Sequence, residues 1–434
     1  MNNKNVEGRK FFLETYGCQM NVSDSEIVST LLVRVGFVPV DRIEDADIII
    51  FNTCSVRQHA EDRVLGRIAN EKFRKQEYPG LQIGVIGCMA QRLGDNLIAM
   101  EPGIDFVVGV DRYHELEDVI GKTVKQRSST EFDPKQVYPG VAPTRNDHYC
   151  AFVTIMRGCD NYCSYCIVPY VRGRERSRAL RDVISEVKEA VDSGHKDVTL
   201  LGQNVNSYRY DAVDFPALLS ELEKVPGLRR LRFITSHPKD LSDRLIEVMA
   251  QSTVLCNHIH LPMQSGDTAI LGSMNRGYSI EDYLRKVGKL RNAIPDIAIT
   301  TDLIAGFPSE TEEQFENTLA VMREIRFDYA FCFKYSNRSG TMASGFSHQV
   351  PEEERLHRLQ KMIDLQREIT FQVFRSQIGK EVEIYVEGFS RKSEQRVSGK
   401  TRDYKIAVVD GNESSLGSFV KATVKDATSG TLIC

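Results

Sequence analysis

The sequence predicts an α/β chain of three units. They are an N-terminal doubly wound parallel sheet, a central partial (β/α)6 barrel and a C-terminal small β-barrel of OB-like type. Three observations carry this prediction. Apolar β-type runs alternate with helical patterns in two separate regions, as parallel sheets require. A polar stretch without a clear period divides those regions. After a charged helix, five short β-like runs with turn residues complete the chain, which suits a small closed barrel. The 434 residues also fit a prior of about three domains. The expected boundaries are 9–124, a linker at 125–146, 147–370 and 371–434.

In the first unit, strands are expected at 11–15, 47–52, 82–86 and 105–108. A helix is expected at 23–35, with Ser23 as N-cap and Gly36 as a stop; others follow at 56–75 and from Ala90. The second unit offers six strands, at 151–156, 197–201, 229–235, 255–260, 297–301 and 329–334. Helical stretches such as 182–193 and 280–292 separate them. Six such units fall short of the ~250 residues of a full barrel. A charged helix at 352–374 leads to strands at 382–386, 394–399, 405–409, 419–425 and 431–433.

Composition narrows the function classes. The apolar share of 41% and charged share of 27% exclude disordered and fibrous chains. No run approaches the ~18–20 apolar residues of a membrane span. The first ten residues are polar and charged, unlike a secretory signal. A cytoplasmic, reducing location is expected, and ten cysteines there point to metal or catalysis rather than disulfides. The net charge of -4 argues against a globally basic surface but leaves room for a local patch.

Cys159, Cys163 and Cys166 form C-x3-C-x2-C directly after the first barrel strand. Thiolates at this spacing converge on one soft cluster. A closed zinc site wants four Cys or His ligands, and no fourth is near. Three thiolates on a cubane leave one iron open for a chelating amine and carboxylate. A zinc knuckle or three unrelated thiols is the competing reading. Cys18, Cys54 and Cys88 are far apart in sequence, yet each follows a predicted strand. In a parallel sheet all three would share the carboxyl edge, the ligand crevice of doubly wound folds. Gly17 and Gly87 precede two of them, consistent with close backbone approach. Buried core cysteines are the alternative here. Cys150, Cys256 and Cys332 read as packed thiols, and Cys434 carries no expectation.

C-x3-C-x2-C after a strand resembles the radical S-adenosylmethionine (SAM) superfamily. Thr15 to Asn21, Asn52-Thr53-Cys54 and Gly87-Cys88 resemble the methylthiotransferase family within it. So do Arg157-Gly158-Cys159, Val168-Pro169-Tyr170, Arg172-Gly173, Leu200 with Gly202 to Val205, Leu261 to Gly266 and Thr301 to Pro308. The C-terminal unit is similar to that family's TRAM module. The Tyr-Gly-Cys-Gln-Met-Asn run resembles the MiaB-type branch, which modifies tRNA.

The resemblance implies methylthiolation at C2 of N6-isopentenyladenosine, at position 37 next to the anticodon. A sister branch acts on threonylcarbamoyl-adenosine or a ribosomal protein aspartate. The implied cofactors are SAM and two 4Fe–4S clusters: an auxiliary one on Cys18, Cys54 and Cys88, and a SAM-cleaving one on Cys159, Cys163 and Cys166. Cofactors supply the hard chemistry and the protein positions them. A non-catalytic iron–sulfur or zinc protein that binds RNA is the reading from another class.

Several polar groups fall at the expected active end of the barrel. Tyr165, Gln203, Asn204, Ser236, His237, Gln264, Arg276 and Asp302 are candidate SAM contacts. Lys334 is a further candidate, for a carboxylate or phosphate. Loop capping, packing or solvated charge is the plain alternative for each. Arg172, Arg174, Arg176 and Arg178, in a run that extends to Arg181, could hold tRNA phosphates. Ion pairs on a solvated helix start are the alternative. Arg391, Lys392, Arg396, Lys400, Arg402 and Lys405 make the C-terminal unit basic, as small RNA-binding barrels are. The expected partners are a tRNA anticodon stem-loop, an electron donor and a sulfur source. No membrane is expected, and a monomer is.

Overall fold

The structure, a computed structural model, describes residues 8–55, 58–121, 128–390 and 393–434. Its first unit is a parallel sheet of β1 (Lys10–Tyr16), β2 (Val38–Pro39), β3 (Ile48–Thr53), β4 (Gln82–Gly87), β5 (Phe106–Val108) and β6 (Ser128–Ser129). The strand order is β2-β1-β3-β4-β5-β6. β3 reads IIIFNT and is buried along its whole length, because both faces are covered. Ile48 and Ile50 pack in one core with Val28 of α1 (Gln19–Arg34). Ile49 and Phe51 pack in the other with Val64 and Ile68 of α2 (Gln58–Glu77). Helices on both faces make the sheet doubly wound.

The expected linker at 125–146 is a packed strap where it is described. Ser128–Ser129 extends the sheet beside β5. Tyr138 is buried, stacks on Tyr113 with ring centroids 5.5 Å apart and donates its hydroxyl to the Val110 carbonyl at 2.8 Å. A two-residue strand and one anchoring tyrosine leave no periodic signal in a sequence.

The barrel begins with β7 (Cys150–Thr154). A short antiparallel pair, β8 (Met156–Arg157) and β9 (Arg176–Ser177), then frames the cysteine loop. β10 (Asp197–Leu201) follows, then a hairpin of β11 (Arg209–Tyr210) and β12 (Val213–Asp214). β13 (Arg230–Phe233), β14 (His258–His260), β15 (Ala298–Ala305) and β16 (Tyr329–Lys334) complete it. β7, β10 and β13 pair in parallel, as do β14, β15 and β16. A parallel bridge from Leu231 to Leu255 joins the two sets. Among the described residues no ladder links β16 back to β7, so the barrel is open on that side. Strand residues such as Ala151, Val153, Val198, Leu200, Leu231, Ile259 and Leu303 pack outward in the largest core. Their alternates, among them Thr199, Arg232, His260, Asp302 and Phe331, face the lumen.

The helix Glu352–Arg375 runs along β15 and β16 and crosses the boundary expected at residue 370. Beyond it β17 (Glu381–Ser390), β18 (Ser393–Thr401), β19 (Ile406–Asp410), β20 (Phe419–Thr423), β21 (Asp426–Ala427) and β22 (Leu432–Ile433) form one curled sheet. Its order is β20-β17-β18-β19-β22-β21, around Ile384, Val386, Val397, Ala407 and Leu432. The strand expected at 419–425 ends at Thr423, and a sixth strand, the two-residue β21, follows it.

This module docks at the amino ends of the barrel strands, opposite the cysteine loop. Arg230 donates to the Lys400 carbonyl at 2.6 Å and the Glu383 carbonyl at 2.9 Å. Arg232 donates to the Thr401 and Arg402 carbonyls at 2.8 and 3.0 Å, and its Nε donates to Asp197 at 3.0 Å. His258 and Tyr404 stack across the same seam at 4.8 Å.

Candidate active site

Strand register brings the first cysteine set together. Tyr16 pairs with Thr53, and Thr53 with Gly87, across three adjacent parallel strands. Cys18, Cys54 and Cys88 stand one or two residues beyond that row, at one sheet edge. Cys18 caps α1, its carbonyl accepting from the Asn21 and Val22 amides. Its thiol donates to Asn21 Oδ1 at 3.3 Å, and Asn21 Nδ2 donates to Asn52 Oδ1 at 2.9 Å. Gly87 sits at φ 89, and a Cβ there would lie 2.3 Å from Asn52 Oδ1, so only glycine fits against this network. A hydrogen bond with Cys54 pulls the Cys18 thiol down to about 6 against burial, with help from the Arg172 charge. Burial pushes the Cys88 thiol up, and Arg172 pulls against it.

The second set lies on the loop between β8 and β9. Gly158 opens that loop at φ 80, and a Cβ there would meet the Arg174 carbonyl at 2.0 Å. The Cys159 amide donates to the Gly173 carbonyl at 3.1 Å, and the Cys166 amide to the Cys163 carbonyl at 2.9 Å. Ser164 ties the loop to Ser273 and Met274. Burial pushes Cys159 up to about 11 and Cys166 to about 12. Cys159 and Cys166 as free thiols therefore hold their protons, and iron must displace them on binding. Among the described residues no three His, Cys, Asp or Glu side chains are placed to hold a metal ion. A single ion gathers its ligands within about 2–2.5 Å of one point, whereas thiols on three irons of a cluster stand further apart.

Around the second loop the barrel ends supply polar groups without partners. Asn204 Oδ1, Ser236 Oγ and His237 Nε2 are buried and unbonded, on neighbouring strand ends. Burial, with Arg276, Lys239 and Lys286 nearby, drives His237 down to about 2, so it is neutral. Its ring meets Tyr278 edge-on at 5.8 Å, Arg276 Nε donates to Tyr278 at 3.2 Å, and Arg276 Nη1 lies 3.3 Å from Cys163 Sγ. Thr235 and Gln264 hold φ of 70 and 71, an uncommon conformation for side-chain-bearing residues that clusters at functional sites. Gln203 is committed to the loop, its Oε1 accepting from the Gly158 amide at 2.6 Å. Tyr165 packs beside Phe307 and Tyr335. Asp302 accepts from the Gln264 amide through its carbonyl at 2.9 Å, and its carboxylate lies 3.4 Å from His260. Lys334 pairs with Glu352. Unpartnered buried polar atoms beside three thiols fit a polar ligand on a cluster.

The arginine run is corrected. Arg172, Arg176 and Arg178 are not surface groups for phosphates, because each is buried in an ion pair. Arg172 and Arg157 both meet Asp24 of α1, at 2.8 and 2.6 Å. Arg176 meets Asp111 at 2.6 Å, and Arg178 meets Glu186 at 2.5 Å. Arg172, Arg157 and Arg176 clamp the first unit to the barrel. Two arginines on one aspartate leave a surplus positive charge, and the Arg172 end of it acts on Cys18 and Cys88, which fits an anionic cluster there. Arg174 is exposed, paired with Asp160 at 2.7 Å. In the last unit Lys405 is buried against Asp328 and Asp403, Arg402 donates to the Leu255 carbonyl, and Lys400 pairs with Glu387. These three serve docking and internal pairing. Arg396 is exposed beside Asp410. Arg391 and Lys392 lie outside the described residues.

Asp24, Arg157, Asn21, Asn52 and Tyr278 escape sequence reasoning as site residues. Asn52 carried a signal, as the lone amide in an otherwise apolar run. Asp24 carried none, since an acidic residue on a helix reads as solvated.

Residues 10–109 match the Uncharacterized protein family UPF0004, 153–322 the Radical SAM superfamily and 375–433 the TRAM domain. Two solved structures share the fold. The radical S-adenosylmethionine methyltransferase TsrM from Kitasatospora setae has a TM-score of 0.59 at 15% identity, over 75% of this chain and 73% of that one. The cobalamin-dependent S-adenosylmethionine radical enzyme OxsB has 0.54 at 11%, over 84% and 62%. Curated relatives are far more similar. A tRNA-2-methylthio-N(6)-dimethylallyladenosine synthase of Parabacteroides distasonis is 44% identical over 98% of this chain and 94% of its own length. Those of Porphyromonas gingivalis and Caldicellulosiruptor saccharolyticus are each 45% identical, over 99% and 98% of this chain and 95% and 92% of their own lengths. With the two cysteine sets at adjoining sheet edges and relatives of this similarity along its length, the chain belongs to the tRNA-2-methylthio-N(6)-dimethylallyladenosine synthase family and is a radical SAM transferase.

Proposed function

We propose that this enzyme places a methylthio group on C2 of N6-dimethylallyladenosine in tRNA (dimethylallyl and isopentenyl name the same substituent). The observation that carries this is the pairing of two thiol triads through one buried joint, Asp24 with Arg157 and Arg172. Adenine C2–H is not acidic and carries no leaving group, so the reaction needs more than acid–base side chains. When bound, SAM and the clusters supply the radical that activates this C–H bond and the sulfur that replaces the hydrogen.

The chain's own residues position those groups. Cys159, Cys163 and Cys166 hold the SAM-binding cluster, and Cys18, Cys54 and Cys88 the auxiliary one. Asn204, Ser236 and His237 offer their unbonded atoms to SAM, and Arg276 sets positive charge beside Cys163. Arg174 and Arg396 contact tRNA phosphates. Their present ion pairs are exposed and weak, so a phosphate can replace the carboxylate. An external electron donor and a sulfur source complete the reaction. One chain contributes all six cysteines, which supports a monomer. No described helix is long and apolar enough to cross a membrane, and a tRNA substrate supports a cytoplasmic location.

Substitution of one triad at a time tests the assignment. The reconstituted parent should hold about eight irons, four per cluster. Alanine at Cys18, Cys54 and Cys88 should leave about four, with SAM cleavage kept and methylthiolation lost. Alanine at Cys159, Cys163 and Cys166 should abolish SAM cleavage. A parent that saturates at four irons contradicts the two-cluster reading.

A further inference from the structure

The last barrel strand carries a row of aromatic rings in an unusual setting. Tyr329, Phe331 and Phe333 are 47, 45 and 38% exposed, at alternate positions of β16. Strand register sets them beside Thr300, Asp302 and Ile304 of β15, and Phe331 meets the His260 ring edge-on at 6.2 Å. They therefore face the lumen, while Ala330 and Cys332 between them pack outward. Tyr329 and Phe331 also touch each other, with centroids 5.0 Å apart. β16 is the open edge of the barrel. Soluble proteins seldom leave contiguous apolar surface uncovered, and such patches mark binding sites.

Two features limit what can cover this row. The lower lumen is filled: Arg232 and Asp197 meet there, and the C-terminal module seals the amino ends of the strands. An occupant must enter through the open side or from the carboxyl end, where the cysteine loop lies. Next, the row mixes flat rings with an edge of hydrogen-bonding groups. Asp302 Oδ2 lies 3.4 Å from His260 Nε2, and both are partly exposed. A planar base with one N–H donor and ring acceptors suits that edge. An apolar branched substituent suits the rings.

We infer that Phe331 and Phe333, with Asp302 and His260, form the seat of the target adenosine and recognise its N6-dimethylallyl group. Asp302 thereby belongs to the nucleobase rather than to SAM. The inference rests on the tRNA reading above and names the residues that make the enzyme selective for a prior prenylation. The base must leave the anticodon-loop stack to reach this row, which costs least in a single-stranded loop. Stacking on a ring is then sequence-tolerant, and the apolar substituent supplies the discrimination.

The test uses the reconstituted holoenzyme with SAM and no reductant, so that binding is measured without turnover. Two synthetic anticodon stem-loops serve as probes, one carrying N6-dimethylallyladenosine and one plain adenosine at the target position. The parent should bind the first more tightly. Phe331→Ala and Phe333→Ala should each weaken it roughly tenfold and weaken the second by less, because only the first loses its contact with the apolar substituent as well as the stacking. Iron content and the thermal midpoint verify that the variants fold, and Phe331→Leu should keep part of the preference. Unchanged affinities in both alanine variants, or equal losses on both RNAs, overturn the inference. A parent that fails to methylthiolate the prenylated RNA on adding reductant instead overturns the substrate reading beneath it.

Discussion

Asp24 is a single acidic residue with no exposed surface, yet two arginines from the barrel close on it. Burial alone would neutralise it. The Arg157 and Arg172 charges outweigh that desolvation and hold its carboxyl below the usual range. Removing one partner of a buried pair leaves an uncompensated charge, so Asp24→Asn should cost ~3–5 kcal/mol. Denaturant titration of the apo-protein measures this, and a loss below ~1 kcal/mol would contradict the clamp. Gly158 makes a different demand. Its positive φ and the carbonyl 2.0 Å from any Cβ leave alanine no place. Gly158→Ala should halve the iron content while the auxiliary cluster stays. At this scale the grouping of the six cysteines was legible, by spacing for Cys159, Cys163 and Cys166 and by position after parallel strands for Cys18, Cys54 and Cys88. The clamp was not, because an Asp and two Arg residues distant in sequence carry no common pattern.

At the scale of elements, α1 shows why polarity misleads. Its first half is rich in Asn, Ser, Asp and Glu, which reads as a solvent face, but those residues are buried. The helix lies between two units, and the cover comes from the barrel and the strap that precedes it. Ser23 bonds Thr154 at 2.9 Å, and Arg145 lies 3.9 Å from Glu26. Burial raises the Glu26 carboxyl to about 7, against the pull of the Asn146 amide and Arg145. The folded state therefore binds more protons than the unfolded state between pH 4.5 and 7. Stability from this group is full below pH 4.5 and is lost as pH rises through 7. At ~1.4 kcal/mol per pK unit the loss is on the order of 3 kcal/mol. Glu26→Gln should flatten that slope when stability is measured at pH 5 and pH 8. A slope equal to the parent's would contradict the assignment. Arg232 is the matching case at the other end of the barrel. Arg232→Ala strands the buried Asp197 and two carbonyls. Limited proteolysis should then release the module at 375–433 faster than in the parent.

For the molecule as a whole, the strand–helix alternation was readable because apolar period and turn residues are local properties. The strands at 48–53, 82–87 and 329–334 lie where alternation puts them. What lay beyond the sequence was which end of the barrel each partner occupies. The C-terminal module sits at the amino ends of the strands, where its Arg402 and Lys405 are spent, while Lys400 is held by Glu387 within the module. A basic count thus overstated the RNA-binding surface, while the net charge of -4 understated the local charge within the interfaces. The first unit sits against the cysteine loop instead, so both thiol triads adjoin one seam. That arrangement is the central claim, and nucleoside mass analysis tests it most directly. TRNA carrying N6-dimethylallyladenosine is incubated anaerobically with reconstituted enzyme, SAM and reductant, then digested. The predicted result is the 2-methylthio derivative, lost when either triad is replaced. Product formation that survives loss of the Cys18, Cys54 and Cys88 triad would contradict it.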